Sequence, residues 1–227
     1  MENTELFTGK AEVYAKARPG YPGAVLDYIG TLVPRGAVFA DLGAGTGKFT
    51  ELLAKGGRTV FAVEPNADMR KQLAVTLARY PDVIIVSGSA ESTALPDSSV
   101  DVVTCAQALH WFDPVAFRAE CNRICRPGGI VIAVYNNTPG GSSPSHCALS
   151  TDTFFKNPTV REFPNPIRYS REDWLAYMTS HSHDPLPSDP GYAAHIAEAK
   201  AIFDRESIDG LLHRRVVTKV YSEQLKL

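Results

Sequence analysis

One stretch limits the chain more than any other: Val38-Phe39-Ala40-Asp41-Leu42-Gly43-Ala44-Gly45-Thr46-Gly47-Lys48-Phe49-Thr50. An apolar run ends in a carboxylate, three glycines follow at alternate positions, and a helix-forming segment begins, so the stretch predicts strand, tight turn, helix. Glycine accepts positive φ and lets a ligand reach the main chain, while the N–H groups that open the next helix can hydrogen-bond it. The bland alternative is a glycine turn that only packs helix against strand. As a binding turn it is of the nucleotide type, but two familiar patterns fit poorly. The dinucleotide fingerprint G-x-G-x-x-G/A meets Lys48 where a small residue belongs. The P-loop pattern needs glycine at Leu42 and a hydroxyl at Phe49.

At 227 residues the chain is expected to form one domain, or one domain with an elaboration. Hydrophobic and charged contents of 44% and 21% suit a water-soluble protein, and a net charge of -2 gives no case for nucleic acid or an anionic membrane. No run of about 18 apolar residues occurs, and the opening Met1-Glu2-Asn3-Thr4-Glu5 is unlike a signal peptide, so the expected setting is cytoplasmic, without membrane contact. Cys105, Cys121, Cys125 and Cys147 lack a disulfide-like spacing. Cys121 and Cys125 lie one helical turn apart with no third ligand nearby, so they are read as buried thiols and no metal is expected.

Along the chain, residues 1–24 form an aromatic, proline-interrupted arm expected to act as a lid. Apolar spacing predicts a helix over 22–33 and the first strand at 37–40. Further strands are expected at 59–64, 83–86, 100–106 and 130–135, with helices between them, the last over 114–125. Strands that alternate with helices imply right-handed crossovers and a parallel sheet covered on both faces. Residues 25–136 are accordingly the ligand-binding core. Prolines recur from 137 to 210, with helical patterns near 171–180 and 192–205, and this segment is expected to be a substrate cap inserted before the final strands at 211–227.

In an open parallel sheet, ligands bind beyond the carboxyl ends of the strands. Glu64 closes the second strand, where an acid can accept both hydroxyls of a ribose. Ser89-Ala90-Glu91 follows the third, where short side chains and backbone can read an adenine edge, an ordinary turn being the alternative. Gln107-Ala108-Leu109-His110-Trp111-Phe112-Asp113 follows the fourth and is costly to expose for nothing. His110 is a candidate general base, because imidazole titrates near neutrality, and a structural histidine is the alternative.

In this order, Asp41 to Gly47, Glu64-Pro65-Asn66-Ala67-Asp68-Met69, Gly88 to Glu91 with Leu95-Pro96 and Asp101, Gln107 to Phe112, and Arg126-Pro127-Gly128-Gly129 resemble the type 11 group of class I S-adenosylmethionine (AdoMet)-dependent methyltransferases. Within the group, they and the opening Tyr14 to Pro22 are similar to the trans-aconitate methyltransferase-like branch. The resemblance implies a Rossmann-like α/β fold of three layers, with a seven-stranded sheet whose last strand is antiparallel. It implies AdoMet as cofactor and S-adenosylhomocysteine as product. Asp41, Gly43, Ala44 and Gly45 would then hold the methionine end, Glu64 with Pro65 and Met69 the ribose side, Ser89, Ala90 and Glu91 the adenine, and Gln107 the region beside the sulfonium. Tyr14, Arg18 and Tyr21 would close over the cofactor. Many members have Asp at the position of Ser89, where a hydroxyl makes a weaker contact.

On this reading the reaction is in-line methyl transfer to a small-molecule acceptor. His110 would remove or orient the acceptor's proton, and His110, Trp111, Tyr135, Trp174 and Tyr177 would form the acceptor pocket. A monomer or homodimer is expected, with no nucleic-acid partner. Two other classes share these motifs: a noncatalytic AdoMet-binding or regulatory protein, and, with the Lys48 mismatch against it, an NAD-dependent oxidoreductase.

Overall fold

The structure is a computed structural model, described here for residues 17–138, 151–181 and 184–225. Helix α1 (Gly23–Leu32) leads into β1 (Val38–Leu42), followed by α2 (Lys48–Lys55), β2 (Thr59–Val63), α3 (Ala67–Leu77) and β3 (Val83–Val86). Then come β4 (Val100–Ala106), a 3-10 turn (Leu109–Trp111), α4 (Pro114–Ile124) and β5 (Cys125–Asn137). Beyond these lie β6 (Thr159–Pro164), β7 (Ile167–Tyr169), α5 (Arg171–Met178), α6 (Tyr192–Glu206), β8 (Leu212–Arg214) and β9 (Val217–Gln224).

Seven strands form one sheet in the order β3-β2-β1-β4-β5-β9-β6. The first five run parallel, and β9 is antiparallel to both β5 and β6. The strand-helix alternation, the three layers and the antiparallel last strand agree with expectation.

Alternate side chains of each strand enter opposite layers, as the two-residue period requires. Phe39, Val102, Ile132 and Val134 pack against Val25 and Ile29 of α1 and Leu53 of α2. Ala40, Val103, Val131 and Ala133 face Phe117, Cys121 and Ile124 of α4. Cys105, Cys121 and Cys125 are buried and free, as read, while Cys147 lies outside the described residues.

Three differences from expectation have physical causes. The fifth strand begins at Cys125, which pairs with Val100 before the register shifts so that Val102 meets Ile130. Gly128 takes φ 82° in the bulge, and a Cβ on Gly129 would lie 2.8 Å from that of Cys125, so Pro-Gly-Gly is spent inside the strand. Residues 159–164, assigned to the cap by their sequence, instead form an edge strand of the main sheet on β9. Residues 212–214, expected in the final sheet strands, pair with β7 in a separate two-stranded sheet.

That small sheet, α5 and α6 share their own core of Tyr169, Trp174, Phe203 and Leu212. Trp174 is 5% exposed, its indole N–H donates to the Ala199 carbonyl at 2.8 Å, and the Arg214 guanidinium lies 4.9 Å from its ring. Burying the ring and satisfying its donor makes this side chain the centre of the unit. Trp174→Ala is expected to destabilise this unit by about 3–5 kcal/mol. Hydrogen exchange should show α5 and α6 losing protection while β1 to β5 keep theirs.

Candidate functional site

The turn after β1 is fixed from beneath. Asp41 is 1% exposed, and its two oxygens accept hydrogen bonds from the Thr50 hydroxyl at 2.6 Å and the Thr104 hydroxyl at 2.8 Å, which tie α2 and β4 to β1. Burial pushes the Asp41 carboxyl up to about 6, against the two hydroxyls, and the nearby charge of Glu64 adds to the rise.

Above it, Gly43, Gly45 and Gly47 all take positive φ, at 66°, 57° and 90°. Their surroundings separate their roles. A Cβ on Gly43 would lie 2.9 Å from that of Ala108, and one on Gly47 would lie 2.7 Å from Leu73 Cδ1, so both permit close packing. At Gly45 a Cβ would meet nothing within 4 Å. The packing explanation therefore accounts for two of these glycines and leaves Gly45 facing open space.

That space belongs to a cleft of about 770 Å3, counting the solvent at its mouth. Gly43, Gly45, Glu64, Pro65 and Met69 line one side. Ser89, Ala90, Glu91 and Gln107 continue the wall, so nine residues expected at the cofactor converge here. Glu64 is 6% exposed; it accepts from the Gly45 N–H and the Asn66 N–H, each at 2.8 Å. Burial raises its pKa against the pull of those donors.

The next loop is pinned at several points. Ser89 Oγ accepts from the Glu91 N–H at 3.2 Å and the Ser92 N–H at 3.1 Å, and Glu91 accepts from the Asp113 N–H at 3.0 Å. Behind the loop, Glu120 of α4 accepts from the Thr93 N–H and hydroxyl at 2.7 and 2.6 Å and from Arg123 at 2.7 Å. Burial opposes its charge, but Arg123 and Thr93 prevail and hold the Glu120 carboxyl down at about 2. Gln107 has φ 56°, a strained conformation for its residue type of the kind found at functional sites.

Other expected residues lie off this wall. Asp41 is beneath it, and Ala44 packs against the cluster of Leu73 and Leu77. Tyr21 sets its ring edge-on to Phe49 at 5.1 Å, and Arg18 reaches the Tyr177 ring at 5.7 Å and the Ser180 carbonyl at 3.4 Å. Tyr14 is outside the described residues. Of the five residues expected at the acceptor, Trp111 is on the cleft wall. His110 sits between Trp111 and Tyr135, at ring distances of 4.8 and 6.3 Å. Tyr135 and Trp174 are buried at 1% and 5% exposure and lie off the cleft wall, and Tyr177 packs on Tyr169 and Trp174.

Asn66, Ala106, Ala108 and Phe112 complete the cleft without having been singled out from the sequence. Asn66 carried a signal, since it caps α3 by accepting from the Asp68 and Met69 N–H groups at 2.9 Å. Phe112 stood in the aromatic run after β4, whereas the alanines carried none. Among the described residues, no cluster of three or more His, Cys, Asp or Glu could hold a metal, and no helix is long and apolar enough to cross a membrane.

Residues 40–133 match the family model described as a methyltransferase domain, of type 11. An uncharacterized methyltransferase of Mycobacterium tuberculosis is 40% identical over 130 residues, which cover 57% of this chain and 51% of the relative. A methyltransferase-like protein of Schizosaccharomyces pombe is 37% identical over 140 residues, 60% of this chain and 54% of its own. The chain thus spans about half the length of the curated relatives it matches. Among solved structures, a candidate type II methyltransferase from Anaeromyxobacter dehalogenans aligns with a TM-score of 0.68 and 25% identity, over 91% of this chain and 97% of that one. A phosphoethanolamine N-methyltransferase of Haemonchus contortus, solved with phosphomonomethylethanolamine and S-adenosylhomocysteine, shares the fold at a TM-score of 0.57 and 14% identity, over 99% of this chain and 59% of that one. Residues 40–133 of this chain are thus similar to a methyltransferase domain, in line with the resemblance of its motifs. The relatives do not distinguish the trans-aconitate branch within the group.

The buried acid makes stability depend on pH. With its folded pKa raised from 3.8 to about 6, Asp41 favours the folded state below the unfolded value, and that contribution is lost as pH rises through about 6. Urea titrations from pH 4 to 7 should show the wild type losing on the order of 3 kcal/mol relative to Asp41→Asn. Gly47→Ala should cost about 1–3 kcal/mol by overpacking against Leu73.

Proposed function

We propose that the chain is an AdoMet-dependent methyltransferase that acts on a small-molecule acceptor by in-line displacement. The observation that carries this reading is the desolvated Glu64 carboxylate on the cleft wall, hydrogen-bonded to the N–H of the glycine that faces open space. A carboxylate offers about four acceptor positions. Two are taken by Gly45 and Asn66, which leaves two for the vicinal hydroxyls of a ribose.

The residues present fit the cofactor. The main chain at Gly43 and Gly45 would receive its methionine end, Glu64 its ribose, and Ser89 to Glu91 its adenine, with Met69 and Phe112 as apolar walls. Ser89 accepts two backbone N–H groups within its own turn, so its remaining capacity is its proton. That suits a ring nitrogen better than an exocyclic amine.

The cofactor, when bound, supplies a methyl group on a sulfonium, a leaving group already activated. Gln107, Trp111 and Phe112 confine that end of the cleft, and holding reactants in line can contribute roughly 7–11 kcal/mol. His110, adjoining Trp111, takes or orients the acceptor's proton when the acceptor arrives protonated. The unit built from β7, α5, α6 and β8 serves as the acceptor's cap.

Calorimetric titration tests the reading. S-adenosylhomocysteine should bind in the micromolar range and NADH should not. Glu64→Ala should weaken binding at least about tenfold, since each hydrogen bond to a charged group contributes about 1.5–3 kcal/mol. Saturable NADH binding with no heat from S-adenosylhomocysteine would overturn it.

A further inference from the structure

Residues 17–22 cross the molecule as a strap with three anchors. Arg18 lies against Tyr177 and Ser180 of the cap, and Tyr21 packs on Phe49 of α2. Between them the Gly20 carbonyl accepts from two side-chain amides, Asn136 Nδ2 at 3.1 Å and Asn165 Nδ2 at 3.0 Å. Those amides come from the end of β5 and from the link between β6 and β7, and they also bond to each other, Asn165 Nδ2 to Asn136 Oδ1 at 3.2 Å. Thr218 Oγ1 donates to the same Oδ1 at 2.6 Å. The backbone carbonyl of Asn136 accepts from Gln107 Nε2 at 3.3 Å, and Gln107 is the strained residue on the cleft wall.

One carbonyl held by two amides is a specific arrangement, because each asparagine must present its N–H side to Gly20 at once. The chain thereby joins the strap, the β6–β7 link and, through Gln107, the cleft wall at a single point.

We propose that Asn136 and Asn165 are positioning residues for the cofactor: together they seat the 17–22 strap across the strand ends, and Asn136 also orients Gln107 toward the cleft. The proposal rests on the methyltransferase reading. Asn136 sits inside a paired strand, so the sharper probe is Asn165, whose own N–H bonds to the Val216 carbonyl and is untouched by side-chain changes. Asn165→Asp keeps the shape but sets an oxygen against the Gly20 carbonyl, and Asn165→Leu removes the donor without adding charge.

The experiment follows quenching of tryptophan fluorescence as S-adenosylhomocysteine binds and dissociates, with Trp111 on the cleft wall as reporter. Thermal unfolding of the ligand-free proteins is measured alongside. Both variants should release the ligand about tenfold faster, which equals about 1.4 kcal/mol. Their ligand-free melting temperatures should stay within about 2 °C of wild type. Unchanged release rates in both variants would overturn the proposal while leaving the methyltransferase reading intact. Faster release accompanied by a matching loss of ligand-free stability would reduce the pair to a structural role and overturn it as well. A wild type that binds S-adenosylhomocysteine neither by fluorescence nor by calorimetry would remove the reading itself, and the proposal with it.

Discussion

A carboxylate stripped of water lies at the root of this architecture. Asp41 sits at the end of β1 with its oxygens committed to Thr50 on α2 and Thr104 on β4. A buried charge is tolerated only where hydrogen bonds replace hydration, so the position of each partner is fixed by the need of the other two. The glycine turn lies directly over this knot. Its shape is inherited from below, and Gly45 is left free of packing duties because the anchoring is done beneath it by Asp41, Thr50 and Thr104.

The same division of labour recurs on the next two walls. Glu120 and Arg123 hold the loop after β3 from behind, so that Ala90 and Glu91 can face the cleft. Asn66 caps α3 with its side chain while its backbone N–H steadies Glu64. Each ligand-facing group is supported by a neighbour whose own hydrogen bonds are satisfied within the protein, which makes a site rigid before anything binds.

The core was legible from the sequence because its signals are local. Apolar runs of strand length, a carboxylate at the end of two of them, and glycines or capping residues after them each specify a few neighbouring residues. What stayed hidden depends on partners distant in the chain. The sequence pattern could not separate Gly47, which makes room for Leu73, from Gly45, which faces open space on the cleft wall. Trp174 and Tyr135 carried the same aromatic signal as Trp111, because large rings serve cores and pockets alike, and their burial depends on partners far off in the chain such as the Ala199 carbonyl and Tyr221. Residues 159–164 read as part of a proline-broken cap because Pro158 precedes them and Pro164 ends them. An edge strand accepts proline at its margins, and the pairing that reveals it comes from β9, some fifty residues later.

The placement of β9 has a consequence for how the chain is made. It is the strand that joins β5 to β6, yet it follows both in the sequence. A ribosome delivering the chain in order therefore releases β5, with its long apolar run from Ile130 to Tyr135, well before its second neighbour exists. During that interval one edge of a hydrophobic sheet stands open, the state in which strands of different chains pair wrongly. The residues between β6 and β9 gather around an apolar cluster of their own, so their large rings are buried without waiting for the sheet to close. The unit formed by β7, α5, α6 and β8 can thus complete its own core before the last strand of the sheet is delivered.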